Sequence, residues 1–202
     1  MTSIDGCARP DGPPDAARGE TRLAFLDMMK SLRAMLDGLT AAVPSDADIA
    51  VLAGQFRDIG ERLSRYAVPE AEQWAGRFFD IPGRGQAMAP PIAFDELAEG
   101  RARARVTLGR FYVGGGAAHG GVVALVLDEF LGRLLNSDAD RPVRTAYLHV
   151  NFRKLTPIET ELTLTGRLDR RDGRKFFLSG ELSAGHLVVA DAEGLFVAPR
   201  EG

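Results

Sequence analysis

The sequence predicts an α+β protein in which an antiparallel sheet wraps around one long central helix, behind an N-terminal helical hairpin. Three observations predict it. Residues 119–135 (HGGVVALVLDEFLGRLL) form an apolar run of helical length. One strand-like stretch precedes that run and four extended segments follow it. Two amphipathic stripes with helical spacing occupy residues 21–80. Strand, buried helix and strand meander in this order suit a sheet with a helix against one face.

Taken along the chain, residues 1–20 are rich in Gly, Pro, Asp and small side chains. Such a segment buries too little apolar surface to offset its ordering and is expected to be a disordered tail. Its Cys7 is expected to be an exposed thiol without a catalytic task. Residues 21–80 are expected to form a helical extension. Thr21 is placed as the first N-cap, followed by Leu23, Leu26, Met29, Leu32, Leu36 and Leu39 at three- and four-residue spacing. Pro44 stops that stripe. Ser45 with Asp48 resembles a capping box for a second helix carrying Ile49, Leu52, Phe56, Ile59, Leu63 and Tyr66. Trp74, Phe78 and Phe79 are expected to pack residues 70–79 onto the main body. Residues 81–91, with Gly83-Arg84-Gly85, match no phosphate-binding spacing and are expected to be a solvated connector.

The main domain is placed at residues 92–198. Arg101 to Leu108 alternates polar with small or apolar residues, as a half-exposed strand does. Extended chain continues to Val113, glycines 114–116 break it, and the central helix begins near His119. Residues 136–141 form a polar connector. The later strands are read roughly as residues 143–153, 161–169, 175–182 and 188–197, with hairpin turns at Asp172-Gly173 and Ala184-Gly185.

The central helix poses the chemical question. An ionised carboxylate within a predominantly apolar helix is costly unless it is paired, solvated or used. Asp128 suits a general base or a nucleophile, or a structural pairing role. Glu129, about 100° away around the helix, is expected to face solvent or to pair with Arg133 four residues on. His119 and Asp128 lie two and a half turns apart on roughly opposite faces, which argues against a dyad within one chain. Gly120 and Gly121 let a ligand approach the backbone, and the first N–H groups of a helix have no internal partners. Two readings of this terminus stand open: an oxyanion site, or a glycine turn that lets the chain enter the helix.

Composition excludes some partners. The formal charge of -3 gives no reason to expect nucleic acid or an anionic membrane, and no run reaches the length of a membrane span. One cysteine excludes an internal disulfide framework, and three scattered histidines show no metal-ligand spacing. No apolar export signal is seen in the first twenty residues, and a cytoplasmic location is expected.

His119-Gly120-Gly121 followed by Asp128, with the later run Thr145-Ala146-Tyr147-Leu148-His149-Val150-Asn151-Phe152, resembles the PaaI-type hotdog acyl-CoA thioesterases. The resemblance covers residues 92–198. It implies a hotdog fold, hydrolysis of an acyl-CoA thioester, no metal and no bound cofactor. It implies that Asp128 is the general base or nucleophile and that Gly120 N–H holds the thioester carbonyl oxygen. His119 would shape the site, and Thr145 of a neighbouring subunit would position the attacking water. A homodimer or homotetramer is implied, and Gly132 and the small residues on the Asp128 face fit the close approach of two subunits. Arg153, Lys154, Arg174 and Lys175 fall where family members often meet the CoA phosphates. Several members carry Asn or Gln about six residues before the histidine, where this chain has Val113. That difference motivates a second reading, a non-catalytic protein that binds acyl-CoA or a lipid-like ligand.

Overall fold

The structure is a computed structural model that describes residues 19–98, 100–136 and 143–200. The expected disordered tail, its Cys7 and most of the polar connector at 136–141 lie outside the described residues. Six strands form one antiparallel sheet. They are β1 (Ala93–Ala98), β2 (Arg101–Thr107), β5 (Arg144–Phe152), β6 (Glu161–Asp172), β7 (Lys175–Ala184) and β8 (Leu187–Val197), in the order β1-β2-β6-β7-β8-β5. A two-residue hairpin, β3 (Val113–Gly114) and β4 (Ala117–Ala118), stands apart from it. Gly115 and Gly116, both with positive φ, make its turn, a conformation that side-chain-bearing residues rarely adopt.

The sheet curls around α3 (Gly120–Asn136) because each contributes one apolar face. Ala102, Ala104 and Val106 of β2 point inward, while Arg101, Arg103 and Arg105 point out. Val123, Val126, Leu127, Phe130, Leu131 and Leu134 of α3 are buried against the sheet. Gly166 and Gly180, paired across β6 and β7, lie beneath this helix. A Cβ on Gly166 would sit 2.6 Å from the Phe130 ring, and one on Gly180 would sit 3.1 Å from the Leu131 side chain. These two glycines set how closely helix and sheet approach. This is the expected α+β hotdog architecture, with one addition. β1 was not anticipated as a strand, because Asp95 and Glu96 interrupt its alternation and the pairing with β2 shifts register between Phe94 and Glu96.

The N-terminal helices are α1 (Glu20–Ala41) and α2 (Asp46–Ser64). α1 begins at Glu20 behind Gly19, one residue before the anticipated Thr21 cap, and has no side-chain cap. Ser45 does cap α2, accepting the Asp48 N–H at 3.3 Å. Phe25 of α1 packs with Trp74 and Phe78, and Phe78 is buried there. α2 has no buried residue, so Ile49, Phe56, Ile59 and Leu63 are exposed on the single chain, as is Tyr66 just beyond the helix.

Residues 81–91 are not the solvated connector expected from composition. Ile81, Gly83, Gly85, Ala89 and Pro90 are buried. Gly83, Arg84 and Gly85 all have positive φ, which presses the backbone against the body. Arg84 reaches α3 there. Its Nη2 donates to Glu129 Oε2 at 2.8 Å, and its Nε lies 2.6 Å from Oε1. Glu129 therefore pairs with Arg84, not with Arg133 as expected. Arg133 donates to the Phe79 carbonyl at 3.0 Å and lies over the Phe79 and Phe94 rings. Removing one partner of a largely buried pair leaves the other charge uncompensated. Glu129→Ala is expected to destabilise the fold by about 2–4 kcal/mol, read as a lowered urea midpoint. The neighbouring Asp128→Asn is expected to shift that midpoint little.

Candidate active site

Asp128 lies on the part of α3 that the sheet does not fully cover, and it is half-buried. Its Oδ1 accepts the Thr145 hydroxyl at 2.8 Å. Thr145 can reach the helix because of a β-bulge. Leu148 and Val150 of β5 pack on the core, so strict alternation would turn Ala146 inward and Thr145 outward. The β5–β8 register shifts between Thr145 and Tyr147, which reverses that parity. Both partners belong to one chain. The expectation that Thr145 acts from a neighbouring subunit is corrected with respect to Asp128: the two residues travel together. Asn at 128 would still offer an Oδ1 to the threonine.

The other end of α3 is built differently. His119 caps it: the Gly121 N–H donates to His119 Nδ1 at 3.1 Å, and the Val122 N–H donates to the His119 carbonyl at 2.9 Å. An accepting Nδ1 places the proton of the neutral imidazole on Nε2. The His119 N–H is itself donated to the Tyr112 carbonyl at 2.8 Å. With Gly121 occupied by the imidazole, Gly120 supplies the exposed N–H at the first helical position, where the helix dipole favours negative charge. A Cβ on Gly120 would meet the Phe152 ring at 3.6 Å, so Phe152 flanks this position. Val113 is half-exposed on the hairpin that packs against His119: a Cβ on the adjacent Gly114 would lie 3.0 Å from His119 Cδ2.

Gly120 and Asp128 are eight residues apart on one straight helix, or about 12 Å along its axis. A thioester carbonyl in contact with both must lie about 3 Å from each. One chain therefore does not bring its own Gly120 N–H and Asp128 carboxylate to the same carbonyl.

The four basic candidates divide into two groups. Arg153 and Lys154 donate their backbone N–H groups to the Val189 carbonyl, near the start of β8. Lys175 pairs with Val197 near its end, where Arg174 donates to the Ala198 carbonyl at 2.7 Å. Seven strand positions from 190 to 197 span roughly 23 Å. Arg153 also donates to Asp191 Oδ2 at 2.5 Å, and the Asp191 carboxyl is held below the usual carboxylate range chiefly by that bond. Arg153 and Lys154 directly follow Phe152, which flanks Gly120, and the Lys154 side chain is exposed there. Among the described residues, no group of three or more His, Cys, Asp or Glu is placed to hold a metal ion. No helix of the described chain is long and apolar enough to cross a membrane.

Residues 115–190, from the β3–β4 turn to the start of β8, match the model of the thioesterase superfamily. The crystal structure of RHA08564, a thioesterase superfamily protein, is 31% identical, covers 93% of this chain and 97% of its own, and superposes with a TM-score of 0.73. The chain belongs to the thioesterase superfamily. Its match to RHA08564 takes in the N-terminal helices as well as the hotdog body. The acyl-coenzyme A thioesterase THEM4 of Bos taurus is 33% identical over 84 residues, 41% of this chain. That match spans about a third of the relative's length (34%). A hypothetical thioesterase protein of Streptococcus pneumoniae TIGR4, solved with coenzyme A, shares the fold at 15% identity, covering 55% of this chain and 90% of its own with a TM-score of 0.51.

Three neighbours of the candidate site carry no signal in the sequence. Phe152 beside Gly120 was only part of a strand motif. Arg84 on Glu129 and Tyr112 beneath His119 are long-range or backbone contacts without a local signature.

Proposed function

We propose that this chain hydrolyses acyl-CoA thioesters at a site formed between two copies of itself. The observation that carries this reading is the division of α3: a threonine-anchored carboxylate at Asp128 and a free helix-terminal N–H at Gly120, too far apart to serve one carbonyl. A homo-oligomer in which α3 of one copy runs opposite α3 of the other brings Gly120 of one subunit to Asp128 of its partner. Water attacks the thioester carbonyl carbon, Gly120 N–H stabilises the developing oxyanion, and collapse of the intermediate expels CoA as its thiol. Asp128 either takes the proton from that water or attacks first to form an anhydride that water then opens. Thr145 orients the carboxylate, His119 holds the helix terminus, and Gly121 and Phe152 line the approach. Lys154 is the candidate for a CoA phosphate at the Gly120 end. Arg174 and Lys175 could contact the same CoA only from the second copy.

The relative solved with coenzyme A and the curated acyl-CoA thioesterase support the substrate class. The test is release of free thiol from short, long and aromatic acyl-CoAs. The expected result is turnover of at least one class; no release from any would contradict the reading. Val113 presents no polar group to an attacking water, and this favours a binding-only protein as the second reading. Calorimetric binding without thiol release would establish that alternative. Thr145→Val, which removes the hydroxyl but keeps the side-chain shape, is expected to lower kcat about tenfold by freeing the Asp128 carboxylate. Steady-state kinetics against the parent enzyme checks it.

A further inference from the structure

α1 does more than cover the domain: it holds the turn on which the candidate oxyanion donor is built. Asp37, near the end of α1, accepts the Phe111 N–H on its Oδ1 at 2.8 Å. Arg33, one turn earlier, donates through Nη1 to the Tyr112 hydroxyl at 3.2 Å. Its Nη2 donates to the Gln86 and Ala89 carbonyls at 2.6 and 2.9 Å. Both residues thus grip the short 3-10 turn Arg110–Tyr112. Gly109 opens that turn, and a Cβ there would lie 2.3 to 2.6 Å from the Asp37 carboxylate atoms, so the contact needs a glycine. The turn passes the restraint on. The Tyr112 carbonyl accepts the His119 N–H, and His119 Nδ1 accepts the Gly121 N–H. An unbroken series of hydrogen bonds and one turn of backbone therefore links α1 to the first turn of α3.

We infer that Asp37, supported by Arg33, is a positioning residue for the Gly120 N–H, and that the N-terminal helix is part of the catalytic apparatus. The inference rests on the proposed thioesterase reading for its effect on rate, but not for its effect on the helix terminus. A misplacement of an oxyanion donor by an ångström raises the barrier without altering the contacts that hold CoA. The signature is a kcat effect with KM preserved.

The test compares Asp37→Ala, which removes the acceptor, with Asp37→Asn, which keeps an oxygen for the Phe111 N–H. Two readouts are taken on the full chain: kinetics with the best acyl-CoA of the panel, and amide hydrogen exchange at Gly121. Asp37→Ala is expected to lower kcat roughly tenfold with KM within about twofold, and to speed Gly121 exchange. Asp37→Asn is expected to restore both. Equal loss in Ala and Asn, parental behaviour of Asp37→Ala, or a rise in KM alone would overturn the inference. If the parent chain releases no thiol, the functional reading fails and the exchange comparison alone decides this inference, unchanged Gly121 exchange sinking it. If Asp37→Ala does not fold, Gly109→Ala displaces the same carboxylate from the other side. It is then expected to show the same kcat loss and faster exchange, and parental values would overturn the inference.

Discussion

Asp128→Asn is expected to lower kcat for acyl-CoA hydrolysis by about 10³-fold, within the range that a positioned base or covalent nucleophile contributes. The substitution is chosen for what it preserves. Asparagine matches aspartate in shape and keeps an Oδ1 that can accept the Thr145 hydroxyl, now at 2.8 Å. It removes the charge and with it both proposed tasks, proton abstraction from water and attack on the carbonyl carbon. In the proposed site the carboxylate faces the acyl carbonyl and not the CoA moiety, so KM should change little. The urea midpoint should stay near that of the parent, because Asp128 is half-buried and its bond with Thr145 survives. A large midpoint shift would mean that the carboxylate is structural, and an unchanged kcat would remove it from the chemistry.

Gly120→Pro is expected to lower kcat about 10²- to 10³-fold, the usual loss on deleting one oxyanion donor. Gly120 is the first residue of α3, a position where proline is tolerated because its N–H has no helical partner. Proline also favours an extended residue before it, which suits a capping residue such as His119. The substitution therefore deletes one N–H and leaves the helix to form. Gly120→Ala is the steric control, since it retains the N–H and its Cβ would meet Phe152 at an ordinary 3.6 Å. Alanine is expected to raise KM by crowding the thioester while keeping most of kcat. If alanine and proline lose kcat equally, space at Gly120 matters and its N–H does not.

Much of the fold could be read from local pattern. The four later strands show as extended segments between turn signals, Asp172-Gly173 marks a tight turn, and the run after His119-Gly120-Gly121 has the length and apolarity of a buried helix. β1 escaped because Asp95 and Glu96 break its alternation beside a register shift. The candidate site could be laid out from sequence wherever it depends on one helix: Asp128 and the glycines lie on α3 and His119 directly precedes it, at a spacing known in advance. It was not legible where two distant segments meet. The Arg84–Glu129 pair spans 45 positions and depends on three consecutive residues with positive φ in a segment whose composition suggests a loop. Thr145 reaches Asp128 only because a bulge reverses strand parity, and no period-two pattern shows a bulge. The same limit hid Arg33 and Asp37, whose partners at Tyr112 and Phe111 are 79 and 74 positions away.

The central claim is that each site joins Gly120 of one copy to Asp128 of another, and subunit mixing tests it most directly. Asp128→Asn and Gly120→Pro chains, each nearly inactive alone, are unfolded together in urea and refolded as a mixture. In a two-fold dimer, each mixed pair then contains one site with a native Gly120 and a native Asp128. With random pairing, thiol release should recover to about a quarter of the parental rate. Recovery no higher than the more active variant alone, with mixed dimers shown to be present, would contradict the shared site.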